Sequence, residues 1–428
     1  MRRNGFRVAA ICAVAVGLAG CFWPSPGAGP ARAAHNSFET EINGGTVNGL
    51  VLKWTATGDG GAITAPVTSL RGVHVSDPVG FYAFSFDTGA RLWTTPVPPS
   101  APFVLGPVVA DGDRVALGFG FGNLGGHWTT TFEDAATGAD LGSNGAGQGL
   151  VDGLRGNILL TRSVGFGTGT PLFTAIHVSD FASPANSWTS TIDFSNGGST
   201  RALTLGSTRI YQAGRGIPTP TGSTNAVRAF LVATPPAQCP PPAPAGFGCP
   251  AWATDIAGTL ATPPVINDDE TVVYTGTDTG VVYALDAATG AILWTSNNAA
   301  PGQVTDTPAL AHGSLFVPTT NGLVVLDAAT GALKWAAGAG SVRIQPAVAG
   351  GAVFTGAEDG RVMAFDAFGC GQPFCPPLWN VDTGDAAITG APAVNQGRLY
   401  VGTADGRLLA YGLPTGPPTT VTVPPRGG

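Results

Sequence analysis

One unit of about 40 residues recurs through this chain, and it constrains the fold more than any other feature. Its clearest copy opens at Thr262-Pro263-Pro264-Val265-Ile266 and passes through Val272-Val273-Tyr274-Thr275-Gly276 and Val282-Tyr283-Ala284-Leu285-Asp286-Ala287-Ala288-Thr289-Gly290. It ends at Ile292-Leu293-Trp294. Further copies run Thr307–Trp335, Gln345–Trp379 and Ala391–Tyr411, and the last stops before its Trp. Each copy holds four short runs rich in Val, Ile, Tyr, Phe and Leu. Asp-Gly, Asn-Gly and Ala-Thr-Gly separate them, turn signals in which Gly or Asn supplies a positive φ. No copy shows a sustained 3.6-residue apolar period with caps at both ends. A unit that cannot bury its faces alone must stack on neighbours, and four strands per repeat without helices predict an all-β propeller.

The wording of the repeat narrows this further. Pro-Ala-Val, Tyr-Thr-Gly-Thr-Asp, Tyr-Ala-Leu-Asp-Ala-Ala-Thr-Gly and a following Trp resemble the repeat of the pyrroloquinoline-quinone-like (PQQ-like) propellers. That family includes quinoprotein alcohol dehydrogenases and the propeller lipoprotein of the outer-membrane protein assembly machinery. The resemblance is strong over 262–411, readable at 65–93 and weak between 95 and 252. It implies that the recurring Trp residues dock one blade on the next.

Positions equivalent to that Trp are Trp54, Trp93, a degenerate one near Leu141, Trp188, Trp252, Trp294, Trp335 and Trp379. They predict eight blades, or seven if 95–188 forms a single elaborated blade. Gly49–Trp54 reads as a Trp strand with no repeat in front of it, whereas the last repeat lacks one. The N-terminal strand is therefore expected to join the C-terminal blade and close the ring, which removes exposed sheet edges. The propeller is assigned to 49–413.

Residues 1–20 read as a signal peptide. Arg2, Arg3 and Arg7 precede an apolar core, Val8–Ala19, too short for a spanning helix of about 20 residues. Leu18-Ala19-Gly20-Cys21 resembles a bacterial lipobox, which implies cleavage before Cys21 and a lipid on its thiol. Ordinary cleavage after Ala31-Arg32-Ala33 is the rival reading. Residues 21–48 read as a lipidated flexible tether, and 414–428 as a disordered Pro/Thr-rich tail. The location expected is extracytoplasmic, anchored to the bacterial cell membrane by that lipid, or secreted.

The formal charge is −7, and losing the three leader arginines takes it to about −10. Two lysines and no basic run argue against nucleic acid as a partner. Cys239/Cys249 and Cys370/Cys375 form two close pairs. In a secreted chain these read as disulfides. Each would staple an enlarged turn before a Trp and contribute about 2–3 kcal/mol through loop entropy. The five histidines are scattered, so no metal site is expected.

Asp87, Asp134, Asp286, Asp327 and Asp366 recur at one turn position, which suits backbone capping better than acid–base chemistry. Gly120–Gly125 spells G-x-G-x-x-G with no helix after it. Asn267-Asp268-Asp269-Glu270 offers oxygen ligands without calcium-loop spacing and reads as a solvated turn. No Gly-x-Ser-x-Gly, His-Glu-x-x-His or Cys-x-x-Cys-His is present. The family resemblance raises PQQ with calcium as a cofactor, but the adjacent-cysteine pair of quinoprotein dehydrogenases is absent. The expectation is no cofactor and no catalytic residue, and a monomer that binds protein or cell-envelope partners through its loop faces or central funnel. A PQQ-binding dehydrogenase acting on alcohols or sugars is the alternative.

Overall fold

The computed structural model describes residues 23–97, 103–104, 108–121, 127–142, 149–167, 170–182, 184–195, 202–215, 225–239, 248–259, 261–296, 302–384 and 386–414. Cys21 and residues 415–428 lie outside them.

Eight antiparallel blades form a ring. Blade 5 is typical: Val265–Ile266 lies innermost, followed outward by Val272–Gly276, Val282–Asp286 and Ile292–Ser296. Its second and third strands are almost wholly buried, while the outermost faces solvent on one side. This explains the continuous apolar runs in the middle of each repeat. The core lies between blades. One cluster joins Phe81, Ala83 and Trp93 of blade 1 to Ala110, Val115 and Leu117 of blade 2. Another joins Tyr274 and Val282 of blade 5 to Leu315 and Val317 of blade 6.

The ring closes as expected. Val51–Thr57 pairs antiparallel with Arg407–Gly412 and so becomes the outermost strand of blade 8, bringing Trp54 to the repeat that lacks one. The degenerate Trp position is Asp140–Gly142, a short outer strand of blade 2, so the blade count is eight.

Within each blade, the turn between strands one and two and the turn between strands three and four lie on the same face of the ring. The turn between strands two and three, and the links between blades, lie on the opposite face. These are called the near and far faces below.

Residues 23–48 are not a flexible tether. Trp23, Ala34, Ile42 and Val47 are fully buried, and His35–Asn36 pairs in parallel with Val348–Ala349, on the inner edge of blade 7. The composition of the segment suggested a linker. Its prolines and small residues instead let it thread the narrow centre of the ring.

Candidate functional site

The axial channel is the natural binding place of a propeller, and here the chain itself lies in it. The carbonyls of Trp23, Pro24, Pro30, Ala31, Ala33 and Ala34 accept hydrogen bonds from the backbone N–H groups of Thr68, Ala110, Leu205, Ile266, Leu310 and Val348, at 2.6–3.1 Å. These donors belong to the innermost strands of blades 1, 2, 4, 5, 6 and 7. They occupy one equivalent register, each opposite the first or second residue of the next strand, such as Val73, Val115 or Leu315. Blade 3 is reached by Arg32, whose Nη2 donates to the Asp152 carbonyl, and blade 8 by Asn36, whose Nδ2 donates to the Val394 carbonyl. The backbone carbonyls thus make one circuit of the axis in the order of blades 1, 2, 4, 5, 6 and 7, while the Arg32 side chain reaches back to blade 3. The segment satisfies inner-edge donors that would otherwise need water.

Arg32 and Ala34 hold positive φ values of 58° and 52°. An extended chain points successive carbonyls to opposite sides. The left-handed residues interrupt that alternation, so carbonyls 30, 31, 33 and 34 reach four consecutive blades. The backbone cost, about 1–2 kcal/mol per residue, is sustained by the surrounding contacts.

Arg32 also anchors a buried ionic cluster. Its Nε donates to the Leu203 carbonyl at 3.0 Å, and its Nη2 lies 3.9 Å from Asp152 Oδ1. Arg162 Nε approaches Asp152 Oδ2 at 2.8 Å. Burial lowers the Arg32 pKa and raises that of Asp152, while the paired charges oppose both shifts. Holding three charges out of water is tolerable only because each has a close partner.

A cleft of about 490 Å³ opens between blades 5 and 6 on the near face. It runs from His35 at the axis past Asn267, Asp268 and His312 to Trp294 and Asp327. The His35 and His312 rings meet edge-on at 4.9 Å. Burial, then the neighbouring His312, holds the His35 pKa below its ordinary value. PQQ is a planar tricarboxylate and needs cationic partners. The cleft wall offers two carboxylates and neither Lys nor Arg, and the axis holds main chain. The residues present do not fit that cofactor.

Each residue singled out from the sequence has a definite place. The indole N–H of Trp54, Trp93, Trp188, Trp252, Trp294 and Trp379 donates to the carbonyl of Phe86, Ala135, Val232, Ala287, Ala328 and Leu50 of the following blade. Trp335 also packs on the next blade, against Phe365 and Gly369, but its Nε1 has no hydrogen-bond partner among the described residues. Asp134, Asp286 and Asp327 each accept, through Oδ1, from the two amides and the Thr hydroxyl that follow. The threonine hydroxyl is the main cause of their lowered pKa. Asp366 accepts from the Phe368 amide. Asp87 does not share this role. Ser85 takes the capping position in blade 1, because Ser85–Gly89, and not the span beginning at Asp87, is the five-residue counterpart of Asp286–Gly290.

Gly120 and Phe121 end a strand, residues 122–125 lie outside the described ones, and the next described element is the strand His127–Asp134. Asn267 and Asp269 cap the amide and hydroxyl of Thr271, and Glu270 bridges to Arg155 and Ser207. Among the described residues, no three His, Cys, Asp or Glu side chains converge to hold a metal.

The cysteines pair as 239–249 and 370–375, with Cα atoms 4.7 and 5.6 Å apart. What sequence reasoning missed is where these turns go. The Cys370–Cys375 turn lies along the outermost strand of blade 6, where Ala336 N–H donates to the Pro373 carbonyl and Cys375 N–H to the Ala336 carbonyl. The amide of Gly248, beside Cys249, likewise donates to Thr191 on the outermost strand of blade 3.

The profile of the outer membrane protein assembly factor BamB family matches residues 278–416. The BamB protein of Yersinia pestis is 31% identical over 99 residues, which cover 22% of this chain and 25% of that protein; the match thus spans about a quarter of that relative's length. Among solved structures, a europium-containing methanol dehydrogenase superposes with a TM-score of 0.68 at 14% identity, covering 92% of this chain and 98% of that one. BamB from Moraxella catarrhalis superposes with a TM-score of 0.58 at 16% identity, covering 85% and 99%. At such identities these structures share the fold. The chain is a β-propeller of PQQ-like repeats.

Proposed function

We propose that this PQQ-like repeat β-propeller is a non-catalytic scaffold, anchored outside the cytoplasm by a lipid on Cys21, that binds protein or cell-envelope partners through its loop faces. The observation that carries the reading is the filled axis. The centre of the ring, where a propeller can hold a small ligand, is engaged by main chain from Trp23 to Asn36. The central funnel, one of the expected binding places, is thus taken by the chain itself. With the channel occupied, the loop faces remain. The match to an outer membrane protein assembly factor favours a protein partner. No described helix is long and apolar enough to cross a membrane.

Two measurements test this. Titration of the purified domain with PQQ and calcium, followed by calorimetry, should release no binding heat. Tight one-to-one binding would restore the dehydrogenase reading. Cross-linking in intact cells should capture a partner that is lost when the 234–250 insertion is exchanged for a plain Asp-Ala-Thr-Gly turn. Unchanged capture would remove that insertion from the partner surface. Residues 240–247 of it lie outside the described residues.

A further inference from the structure

The segment 23–36 enters and leaves the channel on the same face. The Trp23 backbone both accepts from Thr68 N–H and donates to Thr68 Oγ1, and Thr68 is the last residue of the inner strand of blade 1. Asn36 pairs with Ala349, the last residue of the inner strand of blade 7. Both strand ends adjoin the near-face turns. The chain then crosses the near face, where Phe38 is 59% exposed and Glu39 caps the Gly397 amide in the first turn of blade 8, before it becomes that blade's outer strand.

We propose that residues 23–36 are a permanent axial clasp, so that processing occurs ahead of Trp23 and the anchored ring hangs from its own axis with the near face toward the membrane. The first half of this follows from the hydrogen bonds. Cleavage after Ala33 would remove five of the six carbonyls that engage the blades, together with Trp23 and Arg32. Asp152 would lose one of its two cationic partners, and five inner-edge amides would lose their acceptors. Cleavage before Cys21 keeps every one of these contacts.

The second half follows from chain length. Cys21 lies two positions before Trp23, a reach of at most about 7 Å. Trp23 is fully buried on the axis. A lipid on Cys21 therefore leaves no tether of the kind the composition of 21–48 suggests. The orientation rests on the proposed lipid anchor, whereas the clasp and the processing site do not.

Mass measurement of the mature chain purified from its own cells tests the processing site without any variant. A mass beginning at Cys21 with its lipid is expected, and a chain beginning at residue 34 would overturn the clasp. Orientation is read with the lipidated protein in phosphatidylethanolamine–phosphatidylglycerol vesicles that carry a nitroxide-labelled lipid. A fluorophore at Phe38→Cys, on the near face, should be quenched several-fold more than one at Val79→Cys. Val79 is 47% exposed in the turn between the second and third strands of blade 1, on the far face. Equal or reversed quenching would overturn the orientation. Neither readout involves a partner, so failure of the scaffold reading leaves both results interpretable.

Discussion

Trp294 lies directly across Gly331. A Cβ built on Gly331 would sit 2.6 Å from Cε3 of the indole, and the glycine holds φ at 73°. The Trp294 N–H donates to Ala328 in the same turn at 3.1 Å. The pairing recurs as Trp54 with Gly89, Trp93 with Gly138 and Trp252 with Gly290. The two signatures of the repeat, Ala-Thr-Gly and the terminal Trp, are therefore the two halves of one inter-blade joint. Gly331→Ala should cost about 3 kcal/mol, combining left-handed strain with a displaced indole. Gly313→Ala is the control: it also has a positive φ but nothing within 4 Å of its Cβ, and should cost about 1 kcal/mol. Denaturant melts of both variants check this, and equal losses would refute the joint.

Arg32→Ala is expected to lower stability by about 3 kcal/mol, because it leaves the Leu203 carbonyl without its donor and Asp152 with one cation in a dry site. Arg71→Ala should change stability by less than about 0.5 kcal/mol. Its partner Asp113 lies at 2.7 Å, but both side chains are more than half exposed and solvent screens the pair. The comparison separates a clasp residue from an ordinary surface ion pair, again by chemical denaturation.

The legible parts of this structure are those that repeat. Strand runs, Asp-capped turns and the Trp joint announce themselves because each occupies one position many times, and the missing Trp of the last repeat marks the closing strand. The clasp is a single copy without periodicity. Its Gly, Pro and Ala content has the signature of a linker, and only the ring around it gives those residues hydrogen-bond partners. Asp87 misled for a related reason. An acid beside Thr-Gly looked like the repeat position, whereas Ser85 holds it. Cysteine spacing points to two bridged turns, but not to each reaching back to the preceding blade, because that contact joins residues 37 to 57 positions apart.

Glu133 should make stability fall as pH rises. Burial is the main cause that pushes its pKa up to about 7 from an ordinary 4.5, against a hydrogen bond from Thr95 Oγ1 at 2.7 Å. The folded state then holds the proton more tightly than the unfolded chain. Stability is lost between about pH 4.5 and pH 7 and stays lower above that. Glu133→Gln keeps an acceptor for Thr95 and removes the titration. The variant should match the parent near pH 4 and exceed it by about 1–2 kcal/mol at pH 8. His74 works in the opposite direction. It is fully buried with a pKa held near about 3, so the unfolded chain takes up its proton first and stability falls as pH drops below 6.5. Because both proteins share that histidine, the difference between their melts across pH isolates Glu133, and a constant difference would refute the assignment.

The Cys370–Cys375 turn protects an edge. The outermost strand of a blade presents unpaired amides to solvent, and in blade 6 that strand, Leu333–Ala337, receives the bridged turn of blade 7 through Ala336. Replacing both cysteines with serine removes the bridge and, of the buried apolar cluster, only the Cys375 side chain. A global loss of about 2 kcal/mol is expected from loop entropy. The local effect should be larger than the global one. The amides of Ala336 and Cys375 should exchange with solvent far faster, whereas those of Val324 and Val325, inside the same blade, should slow or quicken only with global stability. Uniform acceleration across blade 6 would show that the bridge stabilises the whole ring and does not cover this edge. If the edge is what it covers, the variant should also associate at high concentration through the exposed strand, detectable by light scattering.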